Sequence, residues 1–328
     1  MGKPPLIILA GPTAAGKTAL SISLAKAIGG EIISADSMQV YRHMDIGSAK
    51  VAQREMEGVP HYLIDVLEPT EAFNVVVFQQ MAKKALEQIY RHGNIPIVAG
   101  GTGFYIQALL YDIDFKENLG EGRIRKELTL LAEEKGGEYL HQLLMQVDQE
   151  SAAAIHKSNL KRVIRALEYY RQTGEKISVH NEKERQKPSP YDFLYYVVNM
   201  ERSQLYGRID ARVDQMVKDG LVEEVRELMA MGCHRGMVSM QGLGYKEILS
   251  YLAGECTLEE AVRTLKRDTR HFAKRQLTWF KRERDVRWLN LTDFGGDRAQ
   301  MLAHMVSQVQ ARYPIGCRDS VYPGGQKD

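Results

Sequence analysis

The chain has 328 residues, 44% of them hydrophobic and 26% charged, and 44 Lys+Arg stand against 42 Asp+Glu for a net charge of +2. That balance speaks against an indiscriminate nucleic-acid binder, and the longest apolar runs fall short of the roughly 18 residues that a membrane span requires. The N-terminal run is too short for a signal peptide, and Cys233, Cys256 and Cys317 lie too far apart for a disulfide framework or a structural zinc site, so a cytoplasmic enzyme or binding protein is the expectation.

In chain order, Pro5–Ala10 is a continuous apolar run and reads as a strand. It leads into Gly11, Pro12, Thr13, Ala14, Ala15, Gly16, Lys17 and Thr18, which match G-x-x-x-x-G-K-[ST] between a strand and a helical pattern at Lys17–Ile28. Glycines there let backbone amides converge on phosphate oxygens. Lys17 can neutralise a terminal phosphate, and the Thr18 hydroxyl can hold Mg²⁺. The motif predicts a di- or triphosphate ligand without saying which.

A second strand, Glu31–Ala35, runs straight into Asp36. Groups just beyond strand C-termini line the ligand crevice of an open parallel sheet, so Asp36 is a candidate general base or Mg²⁺ ligand, or else a turn cap. His61–Val66 reads as a third strand, with Asp65 as either a metal-binding carboxylate or a buried cap. Phe73–Arg91 reads as a helix and Ile95–Ala99 as a fourth strand. The strand ends in Gly100, Gly101, Thr102 and Gly103, which serve either close approach to a ligand or a tight turn. Strand–helix alternation predicts an α/β fold built on a parallel sheet flanked by helices.

Residues 1–115 form the first part of this core. Residues 116–188 carry helical, charged segments without a strand signal, ending in the polar stretch His180–Pro190, and read as a helical insertion. The core resumes over 189–312, with a strand at Phe193–Val198, helices at Ser203–Lys218, Leu221–Met231 and Thr257–Arg284, and a last strand at Arg287–Leu291. Residues 313–328 read as a disordered tail.

The small net charge hides two basic islands. Arg263–Trp288 has ten basic residues against three acidic ones, a net of +7, and His156–Lys187 has nine against four, a net of +5, on an acidic remainder of −10. The first island has helical spacing, interleaved with Phe272, Trp279 and Phe280, which suits phosphate tracking with base stacking or a merely solvated face. The second centres on Lys161, Arg162 and Arg165. Arg208 and Arg212, four residues apart, are a further pair able to reach phosphates.

Together these segments resemble the tRNA dimethylallyltransferases. The resemblance runs from about residue 5 to 290 and rests on linked motifs: GPTAAGKT at 11–18, SADSMQVY at 34–41, DIGSAK at 45–50, GVPHYLIDV at 58–66, VAGGTGFYI at 98–106, NLKRVIRALE at 159–168, GLGYKE at 242–247 and TRHFAKRQLTWFKR at 269–282. Ser48, Val51 and Gln149 depart from the residues usual in the family.

The resemblance implies a P-loop kinase-like core with a helical insertion domain, in a bacterial-type enzyme. Its reaction would move a dimethylallyl group from dimethylallyl diphosphate to the exocyclic N6 amine of adenosine 37 in tRNAs that read codons beginning with U. It implies Asp36 as base with Thr102 beside it, and Arg208 as a further group on the diphosphate. Mg²⁺ is the implied cofactor. Binding of the anticodon stem-loop is implied for Ser37, Met38, Gln39, Arg125 (or Arg123), Lys161, Arg162, Arg165, Gln241, Gly242, Leu243, Gly244, Tyr245, Lys246, Lys274, Arg275, Gln276, Trp279 and Lys281. A monomer with no membrane association is expected. The competing readings are a small-molecule or nucleotide kinase, and a non-catalytic RNA-binding protein with a nucleotide-sensing loop.

Overall fold

A computed structural model describes residues 2–115 and 122–313. Two compact units emerge: one comprises residues up to 110 together with those from 190 onward, the other Tyr111–Ser189. The insertion expected at 116–188 has these wider bounds, and the expected tail lies outside the described residues except for Tyr313, whose hydroxyl donates to the Asp192 carbonyl at 2.8 Å.

The first unit is built on six parallel strands: β1 (Pro5–Ala10), β2 (Gly30–Ala35), β3 (His61–Tyr62), β4 (Ile95–Gly100), β5 (Asp192–Asn199) and β6 (Val286–Asn290). Their order across the sheet is β3-β2-β4-β1-β5-β6. The central strands are apolar along their whole length because helices cover both faces, as a parallel sheet requires. Gly100 pairs in register with both Ala10 and Ala35, so β1, β4 and β2 end level and side by side. The loops that follow them, 11–16, 36–41 and 101–102, therefore meet at one edge, where the sequence places all three strand-end candidates.

Among the described residues eight α-helices belong to this unit: α1 (Lys17–Ile28), α2 (Val75–Arg91), α3 (Gly103–Leu110), α8 (Arg202–Lys218), α9 (Leu221–Ala230), α10 (Tyr245–Leu252), α11 (Leu258–Phe280) and α12 (Arg298–Arg312). Three differ from expectation by being present at all: α3, α10 and α12. β3 stops at Tyr62 rather than Val66 because Leu63 (φ 63°) and Asp65 (φ 54°) adopt left-handed backbone that no strand accommodates. α11 ends at Phe280, its last fully buried residue, and Asp285 (φ 58°) turns the chain into β6.

At the opposite end of the sheet Glu31 is 2% exposed and accepts from Tyr62 Oη (2.6 Å) and Asn94 Nδ2 (2.6 Å), with His92 Nδ1 at 2.9 Å. Burial alone pushes its carboxyl up. The hydrogen bonds from Tyr62, Asn94 and His92 outweigh burial and hold it below its usual 4.5. A lowered carboxyl stabilises the fold above its unfolded pKa, and that contribution is lost as pH falls through the folded value. Glu31→Gln is thus expected to lose about 1–3 kcal/mol in urea unfolding at pH 7, with the gap to the parent narrowing below pH ~4. A gap independent of pH would show that the charge is not what the three donors hold.

The second unit is helical: α4 (Arg123–Val147), α5 (Gln149–Ala154), α6 (Leu160–Thr173) and α7 (Ile177–Gln186). α4 breaks at Gly136, where φ 80° and ψ 165° are non-helical. Its core is Leu128, Leu140, Leu144, Val163, Ile164 and Leu167. α7 runs into the polar stretch that begins at His180, and it has no apolar stripe for periodicity to reveal. It starts instead on the buried Asp148, which accepts from Ser178 N (3.0 Å) and Ser178 Oγ (2.7 Å) while capping α5 through Ser151 N at 3.1 Å. Among the described residues, no helix is long and apolar enough to cross a membrane.

Candidate active site

The loop after β1 wraps toward the N-terminus of α1. Ala14 is held at φ 63°, a conformation that costs a non-glycine residue about 1–2 kcal/mol and that the turn imposes. Gly16 has φ 85°, a backbone conformation that favours glycine, and the Arg298 guanidinium fills the space where a Cβ would stand. Lys17 Nζ donates to the Pro12 carbonyl at 2.8 Å. Burial lowers its pKa to about 8; Asp36 opposes the shift and Arg212 adds to it. The Lys17 amine thus sits within electrostatic reach of the carboxylate after β2.

Asp36 Oδ1 accepts from Met38 N at 2.8 Å and from Gln39 N at 3.4 Å. It is therefore a turn cap as well as a site residue. Oδ2 has no hydrogen-bond partner among the described residues, so one oxygen shapes the turn and the other is available for chemistry. Gln39 is fixed by Ser34 Oγ (3.1 Å) and the Ala49 carbonyl (3.2 Å). Thr102 N donates to the Ala35 carbonyl at 3.2 Å, which puts Thr102 beside Asp36, although Thr102 does not itself line the cleft.

That cleft has a volume of about 650 Å³ and takes in Thr13, Ala14, Gly16, Lys17, Thr18, Asp36, Gln39, Gly100 and Gly101, with apolar walls from Ile22, Ile32, Val51, Ile64, Ala99 and Phe272. One end is built for phosphate and charge. The rest can take a small apolar group, within the size range usual for small-molecule sites.

Three expectations need correction. Asp65 does not reach the cleft: it pairs with Lys50 Nζ at 2.5 Å, and Lys50 is shared with Asp45, also at 2.5 Å. Arg212 lines the cleft, and Arg208 lies close to Arg298, whose guanidinium donates to the Ala15 carbonyl of the phosphate loop at 3.3 Å. Gln276 is only 7% exposed and its amide is spent inside the protein, accepting from Thr13 N at 2.9 Å and donating to the Gly101 carbonyl at 3.0 Å. Tyr245 is 0% exposed and donates to Glu224 Oε1 at 2.8 Å. Neither buried side chain offers surface to an RNA.

The glycines after β4 have a definite use. A Cβ on Gly101 would meet Gln276 Nε2 at 2.2 Å, and one on Gly103 would meet the Trp279 ring at 2.2 Å. They let α11 pack directly on the strand end.

Glu224 was invisible in the sequence. From α9 it accepts from the backbone amides of Asp45 (2.8 Å), Ile46 (2.6 Å) and Gly47 (3.0 Å), and so holds the 45–50 segment. In the 241–246 segment, a Cβ on Gly242 would lie 2.7 Å from Met38 Sδ, which places that backbone next to the Asp36 turn. Leu243 is half-buried. Gly244 N donates to Glu247 Oε2 at 2.9 Å, and Gln241 donates to the Arg235 carbonyl. Lys246 lies 3.4 Å from Glu247 and 3.9 Å from Asp268.

The +7 island is divided. Its early half is neutralised: Lys266 pairs with Asp214 (2.6 Å), Arg267 with Asp268 (2.9 Å) and Arg270 with Asp210 (2.5 Å). Lys274, Arg275, Lys281 and Arg282 have no carboxylate partner among the described residues. His271, Lys274, Arg275, Thr278, Trp279 and Arg282 line a shallow depression, and Arg275 lies over the Phe272 ring at 5.9 Å. The Trp279 ring meets Phe104 edge-on at 6.1 Å, and its Nε1 is buried with no hydrogen-bond partner among the described residues.

In the helical unit, Glu168, 1% exposed, receives Arg125 at 2.6 Å and Arg165 at 3.2 Å, leaving two half-exposed guanidinium groups on one buried carboxylate. Lys161 and Arg162 are exposed, and Arg123 lies 3.5 Å from Glu127.

For Mg²⁺, the oxygen donors at hand are the Thr18 hydroxyl and the Asp36 carboxylate, both lining the cleft. No group of three or more His, Cys, Asp or Glu side chains suited to a metal occurs among the described residues. One hydroxyl beside a phosphate loop fits Mg²⁺, which is characteristically held by few protein oxygens and completed by substrate phosphate and water.

Residues 39–283 match the family model described as IPP transferase. A tRNA dimethylallyltransferase of Lachnoclostridium phytofermentans is 61% identical over 302 residues, covering 92% of this chain and 96% of that one. A crystal structure of a tRNA delta(2)-isopentenylpyrophosphate transferase from Staphylococcus epidermidis superposes with a TM-score of 0.70 at 44% identity, covering 94% of this chain and 100% of that one. A eukaryotic dimethylallyltransferase caught acting on tRNA gives a TM-score of 0.79 at 29% identity, covering 99% of this chain and 81% of that one.

Proposed function

The chain belongs to the IPP transferase family, and on that premise we propose that it transfers a dimethylallyl group from dimethylallyl diphosphate to the exocyclic N6 amine of adenosine 37 in the anticodon loop of tRNAs reading codons that begin with U. The observation that carries this reading is the meeting, in one cleft, of a phosphate loop and the Asp36 carboxylate with apolar walls beside them.

The adenine amine is a weak nucleophile because its lone pair is delocalised into the ring. The reaction therefore depends on the leaving group and on removal of the amine proton. The C–O bond to the diphosphate breaks as the N–C bond forms, and the diphosphate departs with added negative charge. The loop amides, Lys17 and the nearby Arg212 stabilise that charge. Mg²⁺, held by Thr18 and the diphosphate, would supply further neutralisation when bound. Attack makes the amine proton acidic, and Asp36 Oδ2 accepts it. The target adenine must leave its stack to reach the cleft; Thr102, Ser37, Met38 and Gln39 stand at the Asp36 turn to receive it.

The unpaired end of α11 supports an RNA role for Lys274, Arg275, Trp279 and Lys281, and the Glu168-held arginines support one for Arg125 and Arg165 with Lys161 and Arg162. Removing one cation that neutralises an RNA phosphate should lower the salt slope of binding by about 0.7–0.9. Lys274→Ala with Arg275→Ala is therefore expected to weaken anticodon stem-loop binding and flatten its dependence on log salt by roughly 1.5. Lys266→Ala with Arg270→Ala, whose partners are Asp214 and Asp210, should change the slope less. Equal slopes for all three proteins would return α11 to a solvated surface.

The reaction itself is tested with allyl-labelled dimethylallyl diphosphate and an unmodified anticodon stem-loop. Label should enter the RNA and pyrophosphate should be released in equal amount. ATP turnover driven by a small acceptor, with no label in RNA, would instead indicate a kinase.

A further inference from the structure

We propose that Gln276 is a positioning residue for the diphosphate loop, a strut that fixes the Thr13 amide and the turn before Thr102 to the RNA-facing helix α11. The inference rests on the diphosphate reading of the cleft and goes beyond it by giving α11 a role inside the site.

The geometry is specific. The side-chain amide has one acceptor and one donor end, and each has a partner of the opposite kind: Oε1 accepts from Thr13 N at 2.9 Å, and Nε2 donates to the Gly101 carbonyl at 3.0 Å. Only one orientation of a primary amide satisfies both. Gln276 is buried, lines the cleft, and sits where Gly101 leaves no room for a Cβ, which would lie 2.2 Å from Nε2. Its neighbours one and two residues back on α11 are Arg275 and Lys274, both exposed. One side chain thus joins the first turn of the phosphate loop, the end of β4 and the helix that carries the unpaired basic residues. Thr13 N gives its one hydrogen to Gln276, so the strut fixes the first turn of the loop and with it the direction of the amides that follow, toward Thr18.

Two variants separate positioning from packing. Gln276→Met keeps length and burial and removes both hydrogen bonds. Gln276→Glu keeps the shape, keeps an acceptor for Thr13, removes the donor to Gly101 and brings a negative charge into the phosphate cleft. The probe is Mg²⁺–pyrophosphate binding by calorimetry, which does not depend on prenyl transfer, followed by the KM–kcat split for dimethylallyl diphosphate and the Kd for the anticodon stem-loop. Expected are a rise in pyrophosphate Kd of about tenfold for Gln276→Met and a larger rise, about a hundredfold, for Gln276→Glu. KM should move with Kd, and RNA affinity should stay within about twofold of the parent. Gly101→Ala, which displaces the amide from the other side, should resemble Gln276→Met and serves if a Gln276 variant does not fold. Pyrophosphate affinity equal to the parent in the folded variants, or a Gln276→Met defect as large as that of Gln276→Glu with RNA binding abolished in parallel, would overturn the proposal. If the parent binds pyrophosphate and the variants do not, but no label reaches RNA, the strut stands and the prenyl-transfer reading fails.

Discussion

Asp36→Asn is expected to lower turnover at least about a hundredfold while leaving the fold and diphosphate binding near those of the parent. The choice of asparagine follows from the two oxygens of Asp36. Oδ1 accepts from Met38 N and Gln39 N, and an amide oxygen does the same, so the turn survives. Only Oδ2, the atom without a hydrogen-bond partner among the described residues, is exchanged for a group that cannot take a proton. Asp36→Ala would remove the turn cap too and mix two effects. One coupling must be respected: Asp36 holds the Lys17 amine up against burial, so the variant's Lys17 loses its proton at lower pH. Measured well below pH 8, where the charge on Lys17 is best preserved, the loss should fall on kcat. Turnover within about tenfold of the parent would remove Asp36 as the base.

The second large effect concerns Lys17. Its amine, lowered to about 8 by burial, is charged below that pH and neutral above it. The charged form attracts the diphosphate, so affinity for pyrophosphate should be full below pH 8 and fall as pH rises through about 8. Bound anion raises the amine's pKa again, which places the loss between about 8 and the ordinary 10.5 of a lysine. Lys17→Met should reduce kcat/KM by about 10²–10³, the range for removing one group that stabilises developing negative charge, and should abolish this pH dependence. A pH slope that persists in Lys17→Met would assign the titration to another group.

The strand-end chemistry was legible because it depends on local order. An apolar run, a glycine-rich turn with Lys17 and Thr18, and an aspartate just past the next strand give a phosphate loop and a carboxylate at one sheet edge. The linked motifs add the reaction. What sequence could not show is how distant side chains share that edge. Glu224 holds residues 45–47 from α9, about 180 positions away. Gln276 turns inward among exposed basic neighbours, and no charge pattern marks it. Arg208 and Arg212 lie four residues apart on one face, so spacing alone could not say which enters the cleft. The +7 island was real as a count, but Asp210 and Asp214 of α8 neutralise its first half, which leaves the later turn as the usable charge. β3 was overextended because two left-handed residues, Leu63 and Asp65, do not disturb an apolar pattern.

The proposed activity comes down to the transfer of one five-carbon unit to a particular nitrogen. The direct measurement is mass spectrometry of nucleosides from unmodified tRNA incubated with the protein, Mg²⁺ and dimethylallyl diphosphate, with fragmentation to locate the addition. The expected product is adenosine heavier by one isoprene unit on N6, at the position 3′ of the anticodon, formed at least about a hundredfold more slowly when Asp36→Asn replaces the parent. An unmodified adenosine, or the unit found on another base or on the ribose, would contradict it.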